Sequence, residues 1–333
     1  MTSEPNREMQ TMDTTARKRH LGQTNIEITP IGLGTWQFSE GQGFHKYMWA
    51  GISAETTNAI IKTALDGGIS WFDTAEVYGN GRSEKGLSGA LKAASKNNGD
   101  VVIATKWWPL MRRARSIRST IDERLSCLEP FAIDLYQVHN PYSFASIEAQ
   151  MNAMADLVEA GKIRSIGVSN FSARMMRKAH AALARRGVPL ASNQVKYNLL
   201  ARDIEDNGVL DAAKELGITI ICYSPLEMGL LSGKFHKDPN LLRSRPRGRR
   251  NAIGKKIETS RPLINILDEI ATDKGVTVSQ VALNWLINSH GDTVVAIPGA
   301  SKPSHAQESA SAMRFTLTAD EMKRIDQASR KCR

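Results

Sequence analysis

The sequence predicts an α/β fold, a single-domain (β/α)8 TIM barrel. Three observations carry that prediction. Eight apolar runs of strand length alternate with stretches of helical spacing. The length of 333 residues suits such a barrel, for which ~250 residues is typical and insertions add more. No GxGxxG turn follows an early strand, as an open dinucleotide-binding sheet requires; the nearest glycine-rich run, GNGRSEKG at 79–86, has the wrong spacing.

The strand runs are IGLGTW (31–36), ISWFD (69–73), VVIATK (101–106), IDLYQVH (133–139), IRSIGVS (163–169), ASNQV (191–195), ITIICYS (218–224) and TVVAIPG (293–299). Between them lie stretches such as 54–68 and 146–162, whose apolar residues recur at helical spacing. Gly67, Gly68, Gly161, Gly187 and Gly217 fall where such helices should stop. Residues 24–30 read as a short hairpin arm plugging one end, and residues 1–20 as a flexible tail ahead of the barrel at 21–330. Three connections are long: 38–51, 107–116 and 226–256. Each follows a strand, so in a barrel all three cover the functional face, where long structureless loops usually bind or cover a ligand.

Bulk properties exclude several classes. No apolar run approaches the ~18 residues a membrane helix needs. The first 20 residues lack the apolar stretch of a secretory signal, and Glu4, Glu8 and Asp13 argue against a transit peptide, so a cytoplasmic location is expected. Cys127, Cys222 and Cys332 are widely spaced, giving no disulfide framework or zinc site and fitting a reducing compartment. The net charge of +10 is concentrated in MRRARSIR (111–118) and RSRPRGRR (243–250). Neither cluster has interleaved aromatics or a nucleic-acid-binding signature, so a solvated or small-anion-binding loop is expected rather than nucleic-acid binding. A homo-oligomer is compatible with the sequence, which does not specify one.

Four polar residues gather at successive strand ends: Asp73, Lys106 and His139 close strand runs, and Tyr78 follows Asp73 by five residues. In a barrel, strand-following loops converge on one face. A tyrosine near its ordinary pKa of ~10 is a poor proton donor at neutral pH. A lysine ammonium at ~4 Å and an effective dielectric of ~20 attracts the phenolate by about 4 kcal/mol, enough to lower that pKa substantially. Lys106 can supply that charge, Asp73 can keep it protonated and fixed, and His139 can orient a carbonyl oxygen or pass it a proton. Together they form a tuned general acid aimed at a carbonyl. No metal-ligand spacing accompanies His139, so a nicotinamide cofactor is the expected hydride source. Taken singly, each residue has a plainer reading: Asp73 a loop cap, Tyr78 an exposed aromatic, Lys106 a snorkelling lysine, His139 a core histidine.

In the contexts WFDTAEVYG, ATK and LYQVH, these four resemble the catalytic tetrad of the aldo-keto reductases. The likeness runs from about Ile26 to Ser329, through GKIRSIGVSNF (161–171), SNQVKYNLL (192–200), ICYSPLEMGLLSGK (221–234) and VVAIPGASK (294–302). The subgroup is similar to bacterial and plant reductases related to potassium-channel β subunits. The resemblance implies Tyr78 as proton donor, Lys106 and Asp73 as its tuning pair, and His139 as the residue that orients the carbonyl. It implies that Ser169, Asn170 and Gln194 bind the nicotinamide carboxamide and that Tyr223 stacks on its ring. Ser224, Leu226, Gly229 and Lys234 would follow the pyrophosphate, with the arginine-rich 226–256 loop closing over it as a lid. Gly299, Ser301, Lys302 and Glu308 would hold the adenosine end, where a cation suits the 2′-phosphate of NADP. His305 and Ser309 stand where the family usually has Gln and Asn, which alters adenine recognition. Trp36 joins the cofactor contacts, with buried packing as its plainer reading; Trp107 or Trp108 lines the substrate pocket, and Trp49 sits on or beside a functional-face loop. Ser169-Asn170 can also cap the following helix. The implied activity is NADPH-dependent reduction of aldehydes or ketones, with NADH second as donor. A cofactor-binding, redox-sensing regulatory subunit with slow turnover is the alternative.

Overall fold

Side chains alternate across a strand, so each strand here divides its residues between an inner and an outer set. The computed structural model describes residues 17–39 and 51–332. Two short strands, β1 (Arg19–His20) and β2 (Glu27–Ile28), pair antiparallel with Arg19 opposite Ile28. Eight more follow: β3 (Leu33–Gly34), β4 (Trp71–Asp73), β5 (Val102–Trp107), β6 (Ile133–Val138), β7 (Ile163–Ser169), β8 (Leu190–Lys196), β9 (Thr219–Tyr223) and β10 (Val294–Ala296). These eight form one parallel sheet in sequence order, alternating with helices, a TIM-barrel-like arrangement. The segments flanking its two edge strands also meet: Gly32 N donates to Ala296 O at 2.9 Å, and Ala296 N to Pro30 O at 2.9 Å.

The inner set is a small cluster in which Trp71, Ala104, Leu135, Ile221 and Val295 pack against Leu21, Ile26 and Ile28 of the β1–β2 hairpin. Two residues beyond Trp71, Ala104 and Leu135, on the same face, come Asp73, Lys106 and Gln137. The hairpin therefore fills the end of the sheet away from the candidate site, as expected. It starts earlier than expected, because Arg19 is held by a hydrogen bond to Val294 O at 2.6 Å. Only residues 1–16 of the predicted tail lie outside the described residues, as do residues 40–50 of the long 38–51 connection, with Trp49. The outer set, such as Ile103, Trp107, Val138 and Val168, packs against the helices in the main core.

Helix starts follow local chemistry. Ser53, Ser146 and Ser172 each accept a backbone N–H from the residue three positions on, opening the helices Ala54–Asp66, Ile147–Glu159 and Ala173–Ala184. Ser172 rather than Ser169-Asn170 caps its helix, which removes the capping reading of that pair. Gly217 ends the helix Val209–Leu216 at φ 63°, a conformation glycine adopts without penalty.

The 226–256 segment is not structureless. It folds as a 3₁₀ turn over Glu227–Ser232 and short helices Lys234–Lys237, Asn240–Arg243 and Arg247–Gly254. Leu230, Phe235, Leu242 and Ile253 form its own small core, a sparse apolar pattern obscured by the arginines between them. Likewise the 107–116 connection is shorter than predicted, since the helix Arg115–Leu128 begins inside it. Among the described residues no helix is long and apolar enough to cross a membrane, and no group of three or more His, Cys, Asp or Glu could hold a metal ion.

Candidate active site

At the C-terminal end of the sheet, Lys106 and Asp73 are both almost wholly buried and joined directly, ammonium to carboxylate. The Lys106 Nζ also donates to Thr74 O at 2.8 Å and to the Tyr78 hydroxyl at 3.4 Å, so its three N–H groups each have an acceptor. The second Asp73 oxygen accepts from Gln194 Nε2 at 2.8 Å and Gln137 Nε2 at 3.1 Å. Asp73 is thus the centre of a buried polar network, not a loop cap. Gln137 was missed by sequence reasoning, although period-2 alternation between Leu135 and His139 places it on the same face.

The electrostatics differ from the expectation in one respect. Burial dominates the Tyr78 phenol and raises its pKa; Lys106 draws it down only in part, and Asp73 opposes that. Tyr78 therefore stays a protonated phenol near neutrality rather than one tuned toward phenolate. For Lys106, burial is the largest effect and pulls the pKa down, but Asp73 and Tyr78 together lift it above the usual lysine range. The ammonium is retained.

Aromatic rings complete this end of the site. The His139 ring meets Tyr78 edge-on at 5.6 Å between centroids, and Trp108 meets His139 edge-on at 5.2 Å. Trp36 lies 6.3 Å from Tyr78, centroid to centroid. Trp107 by contrast is fully buried on the outer face, which leaves Trp108 as the tryptophan of that pair facing the site.

From this group opens a cavity of about 1160 Å³. Asp73, Tyr78 and His139 line it, and so does every residue expected to bind cofactor: Trp36, Ser169, Asn170, Gln194, Tyr223, Ser224, Leu226, Gly229, Lys234, Gly299, Ser301, Lys302, His305, Glu308 and Ser309. Lys106 does not line it but lies beneath Asp73 and Tyr78. Near the tetrad, Tyr223 donates to Asn170 Oδ1 at 3.1 Å, and Ser169 Oγ donates to Gln194 O at 2.9 Å. Asn170, Ser224, Glu227 and Met228 all have positive φ, strain that collects where the chain turns along the cavity wall.

At the far end the wall is cationic. Lys234, Arg245, Arg249 and Lys302 converge there with His305. Burial first, then the neighbouring cations, push His305 down to about 4; burial and Arg245 push Arg249 down to about 10. Such mutual repulsion marks a place that an anion would relieve. The Arg245 Nε is buried with no hydrogen-bond partner among the described residues. Arg243, Arg247 and Arg250 are exposed and off the cavity, so the arginine-rich run divides into two cavity-lining residues and three solvated ones. Gly299 keeps the floor thin: a Cβ there would lie 2.4 Å from Gln37 Nε2. A large cavity lined by the Tyr78 phenol, by Gly299 and by a cluster of four cations fits a dinucleotide phosphate. Glu227 is buried and held by Lys196 at 2.9 Å, Lys256 at 2.7 Å and Asn198 at 2.8 Å, tying the 226–256 segment to the end of β8.

Comparison with known proteins agrees with this geometry. Residues 30–330 match the profile of the Aldo/keto reductase family. Aldo-keto reductase YhdN of Bacillus subtilis is 34% identical over 320 residues, covering 92% of this chain and 91% of that protein. The NADP(+) aldo-keto reductase yakc of Schizosaccharomyces pombe is 31% identical over 322 residues, covering 91% and 89%. The solved structure of the thermostable aldo-keto reductase Tm1743, in complex with the inhibitor epalrestat, superposes with a TM-score of 0.75 at 32% identity, covering 94% of this chain and 99% of that one. With a buried lysine–aspartate pair beneath a tyrosine at the mouth of a cofactor-sized cavity, and relatives matched along nearly its whole length, the chain belongs to the aldo/keto reductase family of NAD(P)H-dependent oxidoreductases.

Proposed function

We propose that the protein reduces aldehydes and ketones to alcohols with NADPH, using Tyr78 as the proton donor. The observation that carries this reading is the contact of the Lys106 ammonium with both the Asp73 carboxylate and the Tyr78 hydroxyl, beside a cavity of about 1160 Å³, roomy enough for a dinucleotide. When bound, the nicotinamide supplies the hydride that the carbonyl carbon accepts. Tyr78 gives its proton to the carbonyl oxygen, and Lys106 stabilises the phenolate left behind. Asp73 keeps Lys106 charged, and His139 orients the carbonyl oxygen toward Tyr78. Ser169, Asn170 and Gln194 would hold the nicotinamide carboxamide, and Tyr223 would pack against the ring.

NADPH is preferred over NADH in this reading because Lys234, Arg245, Arg249 and Lys302 supply more positive charge than a pyrophosphate alone requires. The NADP(+) in the name of the fission-yeast relative agrees. Residues 226–256 act as the lid over the pyrophosphate. We read the sheet as a closed (β/α)8 barrel, supported by the parallel bridges Ile31–Ala296 and Gly34–Gly299 between the segments of β3 and β10.

The test is NADPH oxidation with 4-nitrobenzaldehyde, comparing the wild type with Tyr78→Phe. Turnover in the wild type, lost in the variant while NADPH still binds, supports both the activity and the proton donor. Equal rates would sink the role of Tyr78. NADPH binding without turnover on any carbonyl would favour the regulatory reading instead.

A further inference from the structure

Glu76 lies two residues before Tyr78 and is 7% exposed, yet it has no part in the chemistry above. Its Oε1 accepts from Trp108 N at 2.6 Å and from Arg112 Nη1 at 2.6 Å. The backbone carbonyl of Arg112 in turn accepts from Phe144 N at 3.1 Å and Ser143 Oγ at 2.9 Å. Three successive strand-following loops are therefore linked in series: the Glu76 carboxylate joins the loop of Tyr78 to the loop of Trp108 and Arg112, and the Arg112 carbonyl joins that loop to the one after His139. Trp108 lines the cavity and sets its ring edge-on to His139, which meets Tyr78 in the same way. Burial raises the pKa of Glu76, while Trp108 N–H and the guanidinium of Arg112 draw it back, so these donors are what make a buried carboxylate tolerable there.

We propose that Glu76 is a positioning residue for the substrate end of the site: it fixes Trp108 as a wall of the carbonyl pocket, in register with His139 and Tyr78. This rests on the reductase reading. A substrate packed against Trp108 and His139 depends on the Trp108 backbone staying where Glu76 holds it, whereas the cofactor end, formed by β7 to β10 and the lid, does not touch Glu76. Glu76 thus acts on substrate affinity and leaves cofactor affinity alone.

The experiment measures KM and kcat for 4-nitrobenzaldehyde and the Kd of NADPH in wild type, Glu76→Ala and Glu76→Gln. Glu76→Ala is expected to raise KM roughly tenfold or more with the NADPH Kd changed by less than about twofold. Glu76→Gln keeps an oxygen for Trp108 N–H and should restore KM to within about threefold of wild type. A merely structural role would instead move NADPH affinity and kcat in parallel with KM. Should Glu76→Ala fail to fold, Glu76→Asp replaces it, because a side chain one methylene shorter cannot hold both donors; its KM is expected to rise in the same sense. A folded Ala or Asp variant with wild-type KM, or a Gln variant as impaired as Ala, overturns the proposal. Wild-type enzyme inactive on every carbonyl would be a failure of the reductase reading itself and is recognised by that control alone.

Discussion

The Lys106 ammonium is bound more closely by Asp73 than by Tyr78: it pairs directly with the buried carboxylate and reaches the phenol oxygen at 3.4 Å. The lysine is therefore anchored first and available to the tyrosine second. Because Tyr78 itself is held protonated by burial, in the proposed reaction the ammonium matters most once the proton has left and a phenolate needs a partner.

Lys106→Met tests that division of labour. Turnover should fall by about 10²- to 10⁴-fold, the range of a lost general-acid contribution. Stability should also fall, by about 3–5 kcal/mol, because Asp73 would remain buried with only the Gln137 and Gln194 amides on one oxygen. Steady-state kinetics and a urea midpoint measure the two effects separately. A variant that lost stability but kept its rate would reduce Lys106 to an anchor for Asp73.

The cationic end of the cavity makes a second prediction, about cofactor choice. Lys302 is exposed and shares the wall with Lys234, Arg245 and Arg249. Lys302→Ala should weaken NADPH about tenfold, or ~1.4 kcal/mol, and NADH by less than about threefold. The difference should shrink as salt rises, since an exposed charge is screened. Fluorescence titration of both cofactors at two ionic strengths is sufficient. Equal weakening of both would move Lys302 from the 2′-phosphate to the pyrophosphate.

What was legible in the sequence follows from what spacing can carry. The ends of the strand runs placed Asp73, Lys106 and His139 at one end of the sheet, and the resemblance to the aldo-keto reductases, not spacing, supplied the residues of the cavity wall. Spacing cannot report desolvation, and so the pKa of Tyr78 moves opposite to the direction expected from Lys106 alone. Nor could it show that Gln194 would bridge to Asp73, because that contact joins β8 to β4 across the inside of the sheet. The 226–256 segment was read as a loop because its arginines dominate its composition, whereas its fold depends on four apolar side chains spread from Leu230 to Ile253. The split of its arginines into Arg245 and Arg249 on the cavity and the others in solvent is set by those short helices.

Behind β5 lies a buried acid whose titration can be followed without any substrate. Glu84, on the helix Arg82–Ala93, is fully buried, accepts from Thr105 Oγ1 at 2.6 Å and pairs with Arg124 at 2.6 Å. Burial pushes its carboxyl up to about 7 against an ordinary 4.5, with Arg124 and Thr105 opposing. The folded state thus holds this proton more tightly than the unfolded chain. The resulting stabilisation is fully present below pH ~4.5 and is lost as pH rises through about 7. At ~1.36 kcal/mol per pH unit, the window corresponds to about 3 kcal/mol. Glu84→Gln cannot titrate, so its overall stability is lower but this pH slope is absent; the Arg124 side chain, 3% exposed, keeps Glu123 as a partner. Denaturation midpoints from pH 4.5 to 8 should show the wild type losing stability relative to Glu84→Gln across that range. Parallel curves would mean that Arg124 keeps Glu84 ionised throughout, and that the ion pair outweighs burial at this position.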